Sequence, residues 1–300
     1  MKSKKKISNR LKNFDDLFVG EPKNIEKNLK KLLPQAEHLK DKSIYLQILS
    51  QVAFAQALQK KFKLAHKTLD VAERYLTNEY PIAQARIIFE RGRVFHQSDN
   101  IKSALPLFLK SYQFSKKHKL NEHASSAAHL LAVVEKNIND RIKWNKIAID
   151  IGKKSKEKKL REWLAIEYLN LGYHYTLAKK YKQALKAYET SEQLAKQYGL
   201  KTLRARLGIA QSLRLLNQMD KALSIQLTLL KEYNAIAKKG EMPITILQIE
   251  RGQVFEELSE IYLTKAKIFS GAAYQDLSKD AWFIKLEPKR IKRLNWLRNI

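Results

Sequence analysis

Apolar side chains recur along the chain at helical spacing. Leu164, Tyr168, Leu171, Tyr175 and Ala178 step by four, three, four and three residues, which places them on one face of a helix. Lys179 and Lys180 interrupt the pattern, and Tyr181, Ala184, Tyr188, Ser191 and Ala195 resume it. Two amphipathic helices joined by so short a turn fold back as an antiparallel hairpin. Gly172 lies inside the first helix, where glycine costs roughly 0.5–1 kcal/mol relative to alanine. Gly172 and Ala184 are the small residues on the facing surfaces, and they let the two helices approach closely.

The frame recurs upstream and downstream. Gly92, Phe95, Ala104, Phe108 and Ser111 stand at the spacings of Gly172, Tyr175, Ala184, Tyr188 and Ser191. Ala53, Ala65, Leu69 and Ala72 form an earlier copy, and Ala210, Leu213, Ala222 and Leu229 a later one. The equivalent alanines Ala65, Ala104, Ala184 and Ala222 are 39, 80 and 38 residues apart, so one more unit lies between the second and third. In that unit Ala132 takes the glycine position and the turn at Asn137–Asp140 is short. A sixth unit begins near Glu256 with Ser259 in the glycine position and Ala266 as its turn-side alanine, and a half-unit, Ile25 to Leu39, precedes the first. Six similar units at a near-constant period argue for a stacked solenoid over a bundle around one centre.

Tyr168, Leu171, Gly172, Tyr175, Ala184, Tyr188 and Ser191 resemble the pattern of the tetratricopeptide repeat family: an aromatic, Leu-Gly, a tyrosine, then an alanine, an aromatic and a small residue. The likeness covers roughly residues 43–275, and the segment order is similar to that of bacterial tetratricopeptide proteins without assigned activity. The family period is 34, so helices longer than usual are expected here. The resemblance implies an all-α, right-handed superhelical solenoid of about six antiparallel hairpins. The expected division is a basic, flexible arm over residues 1–22, the solenoid over 23–277, and a basic amphipathic capping segment over 278–300.

In such a solenoid the first helix of each pair lines the concave face, the usual ligand site. Positions just before, one after and about four after the glycine site then give Gln51, Arg86, Glu90, Arg93, His96, His129, Asn170, Tyr173, Arg204, Gln211 and Arg214 as the candidate groove. Arginine suits bidentate carboxylate binding, and Asn170 and Gln51 are suited to bonding an extended peptide backbone. The expected ligand is a protein or extended peptide, acidic or carboxylate-bearing, because the arginines read as only partly offset. Some relatives clamp a C-terminal carboxylate with lysine and asparagine. Gln47 and Gln51 stand there instead, which speaks against a chaperone co-adaptor.

Composition narrows the chemistry. The absence of cysteine removes disulfides, thiolate nucleophiles and cysteine-zinc sites. The nine glycines build no phosphate-binding motif, and none of the seven histidines falls in a metal-binding spacing. Glu256, Glu257 and Glu260 share a helix with no nucleophile nearby, so a solvated or groove-lining face outweighs an acid–base site. The expectation is a non-enzymatic scaffold without cofactor or metal. The formal charge of +28 supports a second reading, a nucleic-acid-associated protein, although lysine dominates it and no aromatics interleave as a base-stacking platform needs. A peptide-sensing regulator is a third reading, for which residues 1–24 are too short to supply a DNA-binding domain. No apolar stretch is long enough for a signal peptide or membrane span, and a cytoplasmic location is expected.

Overall fold

The computed structural model describes Leu11 and residues 14–264. Most of the basic arm's charge, the sixth unit's Ala266 and the expected capping segment at 278–300 lie outside the described residues. The chain divides into two compact units between Leu160 and Arg161. Among the described residues every regular element is helical.

The first unit opens with a one-turn 3-10 helix, Phe14–Leu17, then α1 (Pro22–Lys30) and α2 (Leu33–His38). Three hairpins follow: α3 (Lys42–Leu58) with α4 (Phe62–Arg74), α5 (Pro81–Gln97) with α6 (Ile101–Lys117), and α7 (Asn121–Val134) with α8 (Ile138–Lys154). The second unit holds most of α9 (Lys158–Leu177) paired with α10 (Tyr181–Gln197), then α11 (Leu203–Leu215) with α12 (Met219–Lys239), and α13 (Ile244–Thr264). Within each unit the helices pack in chain order, with the second helix of one hairpin against the first of the next.

Local chemistry sets the helix ends. Asp41, Asn100 and Asn137 accept the backbone N–H of Ile44, Ser103 and Asn139 at 3.0, 3.1 and 2.8 Å, N-caps that satisfy donors the helix leaves open. The C-termini repeat one device. Lys40, Lys60, Asp99, Lys119, Lys179 and Asn217 all take positive φ, as do Gly199 and Gly240. The residue after each donates its N–H five residues back, as in Lys61 to Gln56, Leu120 to Ser115 and Lys180 to Tyr175. This is the left-handed C-terminal motif that closes open carbonyls. The short turn after α7 lacks it, because Glu135 is extended instead.

The repeat frame is physical. Ser111 donates to the Ala85 carbonyl at 3.2 Å and Ser191 to the Ala165 carbonyl at 2.7 Å, both across 26 residues. One serine thus ties the second helix of a hairpin to its first at equivalent places. A Cβ at Gly92 would stand 2.8 Å from the Phe108 ring. One at Gly172 would stand 2.7 Å, and one at Gly208 2.5 Å, from the Tyr188 ring. The glycines therefore leave room for rings that a Cβ would collide with. Leu69, Phe108 and Leu229 are wholly enclosed, each contributing about 1.5–3 kcal/mol by burial.

One expectation is corrected. The described part of residues 1–22 is not a free arm. Leu11 and Phe14 are buried with Ile25, Leu29, Ile48 and Val52, because an isolated half-unit leaves apolar surface that the incoming chain covers.

Candidate functional site

In the first unit the residues expected on the inner face carry buried and half-buried polar contacts. Gln51 on α3 donates to Glu90 on α5 at 2.9 Å, across 39 residues and hence one repeat. Arg93 donates to both Glu90 oxygens at 3.1 Å, and its guanidinium lies 3.2 Å from the centre of the Phe54 ring. Glu90 is almost completely enclosed. Burial pushes its carboxyl up, against the pull of Arg93 and Arg86. Arg86 forms a two-pronged pair with Asp15, at 2.6 and 2.8 Å, with Phe14 5.0 Å away. Its Nε is buried without a hydrogen-bond partner.

These groups border a cavity of about 160 Å³ that Phe89, Glu122, His123, Ser126 and Lys159 complete. Lys159 pairs with Glu122. His123 Nε2 is buried and unpartnered. Burial, then the nearby Arg86 charge, lowers its pKa to about 4, so the imidazole is neutral near pH 7. The cavity walls therefore carry three cations, three carboxylates and a neutral histidine. His96 and His129 are half-buried on α5 and α7 and do not border the cavity. Burial also lowers the His96 pKa.

The second unit has its own network. Arg204 donates to Glu250 at 2.6 Å, and Gln211 to Glu257 at 2.9 Å. Arg214 grips Glu257 at 2.7 and 3.1 Å and reaches Glu260 at 2.5 Å. Despite burial, Glu257 and Glu260 hold Arg214 firmly protonated. Asn170 is half-buried on α9, and Tyr173 is half exposed beside His174, with ring centres 5.7 Å apart.

The structure thus brings Gln51, Arg86, Glu90 and Arg93 to one cavity, and in the second unit it ties Gln211 and Arg214 to Glu257 and Arg204 to Glu250. It corrects the expected charge. Each of the four arginines has a carboxylate partner within the chain, so the inner face is not left with uncompensated guanidinium groups. Glu256, Glu257 and Glu260 are buried rather than solvated. Sequence reasoning missed Asp15, Glu250, Glu122 and His123. Asp15 is 71 residues from Arg86, and Glu250 is 46 from Arg204, so no local spacing links them. Among the described residues no group of histidines and carboxylates is arranged to hold a metal ion.

Stacked hairpins with glycine-seated aromatic rings define the fold of tetratricopeptide-repeat proteins, and solved structures agree. The apo form of RapI superposes with a TM-score of 0.70 at 11% identity, covering 98% of this chain and 79% of that one. NprR in complex with its cognate peptide NprX gives 0.54 at 16% identity, covering 99% and 82%. A Rap protein complexed with competence and sporulation factor gives 0.51 at 12%, covering 98% and 100%. At these identities the likeness is one of fold. No family model and no curated protein matches the chain. No described helix is long and apolar enough to cross a membrane.

Proposed function

We propose that the protein is a non-enzymatic scaffold that holds a protein or an extended peptide on the inner faces of its first-position helices. The observation that carries this reading is the Gln51–Glu90 bond across one repeat. It joins the facing sides of two successive first-position helices of the first unit, α3 and α5, through polar side chains, a lining suited to an extended chain. NprR and the Rap protein, similar in fold, are solved with a peptide and with competence and sporulation factor, which supports a ligand of this class. Tyr173, half exposed on α9, is the aromatic anchor in this reading, with Asn170 as a backbone partner. Acidic or carboxylate-bearing segments fit where an inner-face arginine keeps an unused donor, as Arg86 does at Nε, while the formal charge of +28 lies mostly outside these pairs.

That same charge favours a second reading, association with nucleic acid. Capture of partners from a lysate, at low and high salt and with Tyr173→Ala beside the native chain, separates the two. The scaffold retains its partner in high salt and loses at least tenfold in affinity on Tyr173→Ala, as aromatic hot spots do. Binding that disappears with salt and survives the substitution replaces the scaffold with the nucleic-acid reading.

A further inference from the structure

The inner face of the first unit is already occupied. Phe14–Leu17 and Phe18 belong to no hairpin, yet they meet the inner faces of two successive first helices. Asp15 places both carboxylate oxygens on Arg86 of α5, and the Phe18 ring stacks on Phe54 of α3, centres 5.4 Å apart and planes 21° apart. The Phe14 ring lies beside the Arg86 guanidinium, 5.0 Å away. An acidic residue with an aromatic before it and another three residues after it is thereby seated on a guanidinium and a ring one repeat apart. A short ligand segment folded as one helical turn would present the same chemistry to this face.

The two ends of the segment are held differently. Leu11 and Phe14 are buried, whereas Asp16 and Val19 face solvent. Asp15 keeps 37% of its side-chain exposure while Arg86 keeps 12%. The socket is thus enclosed and its occupant is not, so water and a competing carboxylate reach the Asp15 side of the pair more readily than the Arg86 side. Gly20, at φ 94° with nothing near its α-carbon side, gives the segment a free joint before α1. Arg86 Nε has no partner and is buried beside the cavity, so the socket has a donor that Asp15 leaves unused.

We propose that Arg86 is a carboxylate socket, and that the Phe14–Phe18 segment is a built-in ligand which an acidic-aromatic peptide of a partner displaces. This rests on the scaffold reading above and gives that reading a ligand class: an aspartate-bearing segment flanked by aromatic side chains.

The test titrates full-length protein with a fluorescent peptide, Phe-Asp-Asp-Leu-Phe-Val-Gly, matching residues 14–20. Asp15→Asn keeps the shape of the segment and removes its charge, and Phe18→Ala removes the second anchor without touching Arg86. Each should bind the peptide at least tenfold more tightly than the native chain. Adding Arg86→Gln to Asp15→Asn should cancel the gain, and a peptide with both aspartates changed to asparagine should bind none of the variants. Equal affinity of native and variant chains, with helical circular dichroism intact, overturns the proposal. So does tight binding that survives Arg86→Gln. Self-association of the native chain that Asp15→Asn abolishes would assign the segment to the socket of a second copy and overturn the intramolecular arrangement. None of these results touches Tyr173, in the other unit, on which the broader scaffold reading is tested.

Discussion

At the scale of single residues, packing is set by what glycine makes room for. Tyr188 rests between Gly172 of its own hairpin and Gly208 of the next. Gly208→Ala should destabilise the protein by about 1–3 kcal/mol through overpacking, and Gly172→Leu by at least as much, measured by denaturant unfolding. Replacing Tyr188 by leucine in the Gly208→Ala background should return part of the loss. Gly172 was legible in the sequence because it falls in the within-hairpin frame. Gly208 was not, since it serves contact between hairpins and Ala210 occupies the frame. Glu26 supplies a second test. Burial pushes its carboxyl up, but hydrogen bonds from Lys30, Gln56 and Gln59 outweigh this and hold it at about 2, below the ordinary 4.5. A carboxyl lowered on folding contributes stability above its unfolded value and loses it as pH falls through the folded one. Stability should therefore decline between about 4.5 and about 2, and Glu26→Gln should flatten that limb of a melting-temperature profile.

At the scale of elements, helix identity was legible and helix partnership was not. The three-and-four spacing identified the helices, because each must bury one stripe. The charged pairs that join α11 to α13, Arg214 with Glu257 and Arg204 with Glu250, span 43 and 46 residues, a distance at which no periodicity speaks. Arg214 and Glu257 are both about nine-tenths enclosed. Removing one partner of such a pair strands the other charge, a cost of about 3–5 kcal/mol when nothing compensates. Glu260 remains to hold Arg214, so Glu257→Gln should cost about 2–4 kcal/mol in unfolding free energy. A loss below 0.5 kcal/mol would show that Glu260 alone suffices.

At the scale of the molecule, the all-helical repeat was readable and the division into two units was not. The boundary at Leu160–Arg161 falls inside α9, at the end of a lysine-rich run over 153–161 that by spacing alone reads only as another charged connection between helices. The expected positive groove was also misread, because charge counts along a sequence ignore the carboxylates that folding brings alongside. That matters for partner choice. With the inner-face arginines neutralised in pairs, the net charge of +28 is carried elsewhere on the chain, largely by lysine. A partner seated on the inner face should therefore show a shallow dependence of affinity on salt. A slope approaching that of six or more phosphate contacts in a titration against sodium chloride would place binding on the lysines instead.

The turns carry a consequence of their own. Among the described residues four helix ends are closed by a left-handed lysine, at Lys40, Lys60, Lys119 and Lys179, where a side chain costs about 1–2 kcal/mol that glycine does not. The motif forms regardless, so the chain tolerates a poor residue at a place where a better one exists. Each such turn is an unspent margin. Harmful changes elsewhere in a repeat can be compensated at the nearest turn without altering any surface used for binding, which makes the repeats mutationally forgiving one at a time.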